Sequence, residues 1–144
     1  MGLTILEFDQ IWWNDPAKAK EYDLKYEDYQ KSLPLDSKVI LDSKMSFFVQ
    51  PDAFNVFMDV RDEVGAQRIY DQKRDSEAAD SFEAVLEANR TRMEGQKATY
   101  LKLYDVDLFD MSHYDLVFDA SEMTPEQSAD RIEKWLYAYI KAHG

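Results

Sequence analysis

The chain has 144 residues, and its 29 Asp plus Glu against 17 Lys plus Arg give a formal net charge of -12. A surface this acidic repels nucleic acid and anionic lipid, so a phosphate ligand must meet a local basic cluster. With no Cys, disulfides and thiol catalysis are excluded; His113 and His143 are the only two His and leave little material for a His-based metal site; and no stretch approaches the roughly 20 apolar residues of a membrane span.

The remaining composition, 45% hydrophobic and 14% aromatic, suits a single domain over residues 1–144 that buries roughly 70% of the surface its unfolded chain exposes. The N-terminus lacks a charged and apolar signal pattern, and the sequence reads as soluble and cytoplasmic.

Along the chain, Leu3 to Phe8 predicts a strand. Asn14-Asp15-Pro16 predicts a helix start, with Asp15 as N-cap and Pro16 at the first helical position. The helical region to Leu33 carries Tyr22, Tyr26 and Tyr29 at helical spacing, a pattern expected of a packing face. Val39 to Leu41, ending on Asp42, and Phe54 to Val60 are short apolar runs of the kind that form strands covered on both faces. The ten or so residues from Ser43 to Ala53 are barely enough for a parallel crossover between them. Asp62 is expected to cap a helix that carries Val64, Ala66, Arg68 and Ile69; polar residues follow Arg74; a long helical pattern then runs from Phe82 towards Tyr104, interrupted only by Gly95. Asp115 to Ser121 predicts a last strand, and Thr124-Pro125 with Gln127 predicts a capping box opening a helix with Ala129, Ile132, Leu136 and Tyr139 on its apolar face. The order gives an α/β fold, a mostly parallel sheet with flanking helices.

VILDSKMSFFVQPDA, FNVFMDVRDEVGAQRI and YDLVFDAS followed by Thr124-Pro125-Glu126 resemble successive segments of the archaeal-type cytidylate kinases, in the P-loop nucleoside monophosphate kinase group. Arg90, Arg92, Glu94, Tyr100, Tyr104, Val106 and Asp107 resemble that family's basic lid helix and the segment ending it. The resemblance runs over nearly the whole chain and implies a three-layer kinase-like fold with a helical lid near residues 72–104. It also implies that the first strand, the phosphate loop and the first helix of that fold are missing. Independently of the family, the four Gly, at positions 2, 65, 95 and 144, form no Gly-x4-Gly-Lys-Ser/Thr phosphate cradle. In the family's strand order the missing strand lies between Val39–Asp42 and Phe54–Val60, so the expectation is a fragment of a longer protein, a collapse of the two strands onto each other, or a slot filled by a second chain or a second copy.

The resemblance implies ATP as donor, Mg2+ as cofactor and a nucleotide or other small phosphate acceptor. Asp42 stands where a carboxylate holds Mg2+, or else simply ends a strand. Lys44 stands where the family places an Arg on nucleotide phosphate, and Arg68 serves phosphate or pairs with Asp71 or Glu63. Arg90 and Arg92 match arginines that neutralise charge in phosphoryl transfer, or form a solvated helix face. Trp13, beside Trp12, stacks on a base or packs in a core. Phe8, Asp9, Gln10 and Trp13 replace a nucleotide clamp, Ser43 replaces a loop Gly, and Thr99 replaces a basic lid residue, so the substrate site is divergent. Two functions are therefore expected: a cytidylate kinase-like phosphotransferase, inactive as these 144 residues alone, or a non-catalytic kinase-like module for binding or structure.

Overall fold

The computed structural model describes residues 14–34, 38–72 and 81–143. It is α/β, and the chain divides into two compact units, residues 1–51 and 52–144. Leu3 to Phe8 and Trp13 lie outside the described residues.

In the first unit, helix α1 spans Pro16–Lys31. It starts as its sequence dictates: Pro16 takes the first helical position, where a missing N–H costs nothing, and the Asp15 side chain accepts from the Lys18 N–H at 3.0 Å. Its buried positions differ from the expected ones. Tyr26 and Tyr29 face solvent, and Glu27 and Gln30 are the residues turned inward, at 5% and 1% exposure. The polar residues are drawn in because Gln30 bonds across to the following segment. Its Nε2 donates to Ser43 Oγ at 3.3 Å, and its backbone oxygen accepts from Gln50 Nε2 at 2.8 Å. A short helix α2, Ser46–Val49, packs on α1 and buries Phe47 and Val49, with Met45 just before it.

The strand expected at Val39–Asp42 does not form. These residues carry no regular structure, and Ile40 is 97% exposed. The apolar run had predicted burial on both faces, but a strand needs a neighbour to pair its N–H and C=O groups. Among the described residues none pairs with this one.

The second unit holds the sheet. Strands β1, Val56–Asp59, and β2, Leu116–Asp119, pair in parallel, with Val56 opposite Leu116 and Asp59 opposite Asp119. Parallel neighbours require a crossover. Here it contains α3, Asp62–Gln72, and α4, Phe82–Tyr104, which pack against each other. The Ser81 side chain caps α4 by accepting from the Ala84 N–H, and Gly95 does not interrupt the helix. α4 ends on Asp105, whose backbone is left-handed at φ 56° and whose N–H returns to the Leu101 oxygen. Helix α5, Pro125–His143, opens with the expected capping box. The Thr124 N–H donates to Gln127 Oε1 at 2.8 Å, and the Gln127 N–H donates to Thr124 Oγ1 at 3.2 Å.

Leu116, Phe118 and Ala120 form the core of this unit, packed by Phe54, Val56, Val60, Met123 and Ile132. The sheet position Phe57 meets Tyr114 and Phe109, with ring centroids 5.0 and 6.2 Å away. Tyr139 of α5 reaches Phe54 at 5.0 Å, whereas the expected face residues Ala129 and Leu136 remain exposed. Amphipathic spacing placed Ile132 and Tyr139 correctly, but a two-stranded sheet covers too little of a 19-residue helix to bury the whole stripe.

Candidate functional site

In parallel α/β sheets the crevice beyond the carboxyl ends of the strands is the usual ligand position. In the second unit that end carries Asp59 and Asp119 in direct register, followed by Arg61 after β1 and Ser121-Glu122 after β2. Two loops are sewn together here. The Arg61 N–H donates to Ser121 Oγ at 2.9 Å, the Arg61 guanidinium pairs with Glu122, and Asp119 Oδ1 accepts from the Ser121 N–H at 2.7 Å. The side-chain and backbone hydrogen bonds from Ser121 hold the Asp119 carboxyl below the usual carboxylate range, with the Arg61 charge adding to the effect.

Arg68 projects from α3 to the same turn. Its Nη2 donates to the Ala120 oxygen at 3.1 Å and to the Ser121 oxygen at 2.9 Å. Neither Asp71 nor Glu63 is its partner: Asp71 accepts from Gln67, and Glu63 accepts from Arg90. Arg90, on α4, reaches the start of α3, where Nε donates to Asp62 Oδ2 at 3.1 Å and Nη2 to Glu63 Oε1 at 3.2 Å. The Asp62 hydrogen bond pushes the Arg90 pKa up. Arg92 lies near it on α4 and donates to Asn89 Oδ1 at 3.3 Å.

Asp42 and Lys44 belong to the first unit, both exposed, in the irregular segment and turn before α2. Trp13 is outside the described residues. Of the six candidates, then, the second unit holds Arg68, Arg90 and Arg92, each bonded to a protein acceptor. Arg61, Asp62 and Ser121, which sequence reasoning did not single out, organise this end of the sheet. The signal for them was available in the sequence: charged and hydroxyl residues fall just after each of two apolar strand runs.

No group of three or more His, Asp or Glu among the described residues could hold a metal ion. Mg2+ commonly takes one or two carboxylates and completes its shell with water and substrate phosphate. Asp42 by itself is not a built metal site. No helix among the described residues is long and apolar enough to cross a membrane.

Comparison with known proteins adds a direct observation. The chain is 25% identical over 133 residues to a cytidylate kinase of Methanococcoides burtonii, covering 92% of this chain and 71% of that protein. It is 30% identical over 126 residues to a cytidylate kinase of Pyrobaculum islandicum, covering 86% of this chain and 64% of that protein. The chain is thus similar to cytidylate kinases over about nine-tenths of its length. It is also 30% identical over 133 residues to an S-adenosylmethionine-dependent nucleotide dehydratase of Lacinutrix mariniflava, but spans only 26% of that longer protein. No family model and no solved structure matches the chain.

Proposed function

We propose that this chain is the acceptor-binding and lid portion of a cytidylate kinase-like phosphotransferase, which moves the γ-phosphoryl of ATP to a nucleoside monophosphate or related small acceptor. The observation that carries this reading is the similarity to cytidylate kinases along about nine-tenths of the chain. In it Arg90 and Arg92 of the second unit neutralise charge on the transferring group and Arg68 meets phosphate, while in the first unit Lys44 meets phosphate, Trp13 stacks on a base and Asp42 is the residue that would meet Mg2+. Arg68 and Arg90 would have to exchange their protein acceptors for phosphate. These 144 residues contain no Gly-x4-Gly-Lys-Ser/Thr cradle, so on their own they are expected not to turn over. The outer edge of β1, unpaired among the described residues, is where a strand from another chain or a second copy would complete the sheet.

A second reading, a non-catalytic kinase-like module, is favoured by the protein acceptors that Arg68, Arg90 and Arg92 meet and by the match to about a quarter of the named nucleotide dehydratase.

Thermal unfolding with CMP, and separately with ATP and Mg2+, separates the two. A ligand at 100 times its Kd stabilises the folded form by about 2.7 kcal/mol, a shift of a few degrees. The proposal expects a shift with CMP and none with ATP. A shift with ATP would overturn the phosphate-cradle argument, and no shift with either would favour the second reading.

A further inference from the structure

Within the second unit, Ile132, Trp135, Leu136, Tyr139 and Ile140 recur at the spacing of a single helix face. Ile132 and Tyr139 find partners in their own unit, but Trp135, Leu136 and Ile140 stay 51%, 36% and 54% exposed. The helix crosses the sheet: Arg131 lies over the Phe118 ring of β2, and further along Tyr139 meets Phe54, just before β1. Its C-terminal half therefore lies on the β1 side, which is where the sheet stops. The outer edge of β1 is unpaired among the described residues. Because side chains alternate along a strand, Met58 shares the face of Val56, Leu116 and Phe118, yet Met58 is 52% exposed while Phe118, in register with it, is 4% exposed. Val56, Phe57 and Met58 also carry none of the Lys, Pro or inward charge that usually blunts an open edge.

We propose that a second copy of this chain docks here, its β1 pairing antiparallel with this one about a two-fold axis normal to the sheet. With Phe57 on the axis, Val56 lies opposite Met58 of the second copy, and Asp59, the strand's one charge, lies opposite Asn55. Parallel pairing in register would instead set Asp59 against Asp59, and like charges directly opposite are destabilising. The same axis brings both α5 helices to one face of the joined sheet, running in opposite directions. In the first half of α5, Glu126, Asp130 and Glu133 outweigh Arg131; from Lys134 onwards the helix carries Lys134 and Lys141 and no Asp or Glu. Antiparallel helices thus set the acidic half of each copy against the basic half of the other, beside the exposed Trp135, Leu136 and Ile140. This charge complementarity is what favours a second copy over an unrelated chain. The net charge of -12 on each copy opposes approach, but it is screened beyond roughly 10 Å at about 0.1 M salt, so the contact surface decides. The pairing uses the free edge named in the reading above but no nucleotide, so either can fail without the other.

The test is light scattering of the full chain during size-exclusion chromatography over a range of loading concentrations. The mass is expected to rise from that of one chain towards that of two. Met58→Lys puts a charge on the edge and should weaken association at least about tenfold. Lys134→Glu combined with Lys141→Glu makes α5 acidic throughout and should weaken it about threefold or more. All three positions are exposed, and far-UV circular dichroism confirms that the variants fold. Because the chain has no Cys, Met58→Cys supplies a single thiol that a short thiol-to-thiol cross-linker should join between copies. Val117→Cys, on β2 and on the opposite face, should give no such product. The mass of one chain at every concentration would overturn the proposal and leave the edge to a different chain. A dimer that Met58→Lys does not weaken, or that cross-links equally well through Val117→Cys, would overturn it too.

Discussion

Arg90 on α4 donates from Nε to Asp62 Oδ2 at 3.1 Å, tying the long helix to the first residue of α3. The pair sits at the surface, with the Arg90 side chain 45% and the Asp62 side chain 56% exposed. Exposed ion pairs contribute little to stability and yield readily to a stronger anion. Asp62→Asn combined with Glu63→Gln should therefore leave the unfolding midpoint nearly unchanged while raising the affinity for inorganic phosphate up to about fivefold, since the anion no longer competes with two carboxylates for Arg90. Titration calorimetry reads the affinity, and a fall in affinity would mean that Arg90 serves the helix packing alone.

Arg68 makes a different kind of contact. Its guanidinium gathers the carbonyl oxygens of Ala120 and Ser121, which fixes the turn between β2 and α5 onto α3. Arg68→Met should destabilise the chain by about 1–2 kcal/mol through loss of these charge-assisted bonds. Urea denaturation should show a lower midpoint with an unchanged slope.

The capping box at α5 gives a third expectation. Thr124→Ala removes the acceptor for the Gln127 N–H. The cost should be about 1 kcal/mol, seen as a lowered Tm. Thr124→Ser should restore most of it, because the hydroxyl remains.

Asp119 supplies a pH dependence. Its carboxyl is held below its ordinary value by Ser121. A carboxyl depressed in the folded state contributes stability that is fully present above its unfolded pKa and is lost as pH falls through the folded one. Acid titration of the unfolding midpoint should therefore decline below the ordinary carboxylate range, and Asp119→Asn should flatten that decline. An identical acid profile in the variant would refute the assignment.

Where a few adjacent residues determine the structure, it was legible in the sequence. Pro16 behind Asp15, the Thr124–Gln127 box and the span from Phe82 to Tyr104 form as their local chemistry requires. Val39–Asp42 has the composition of a strand, but pairing is a property of two segments, and composition cannot supply the second. On α1, spacing identified a tyrosine face without identifying which face turns inward. The bond that Gln30 donates to Ser43 and the one it accepts from Gln50 hold Gln30 on the inward face, and Glu27 precedes it by three residues on the same face. For Arg68 and Arg90, charge marked phosphate candidates, while the acceptors they meet at Ala120, Ser121, Asp62 and Glu63 come from distant parts of the chain.

The pairing of β1 with β2 also sets an order of events in folding. Val56 meets Leu116 only after the whole of α3 and α4 has been laid between them. Closing so long a loop carries an entropy cost that no local contact offsets, whereas α3 and α4 are sequence neighbours and can associate early. The helical hairpin is thus expected to form first and to shorten the effective distance the strands must search, which pulse-labelled amide exchange would reveal as late protection of Val56–Asp59 and Leu116–Asp119. The sheet is the last part of this unit to assemble, and the residues at its carboxyl end come into register only in the finished fold.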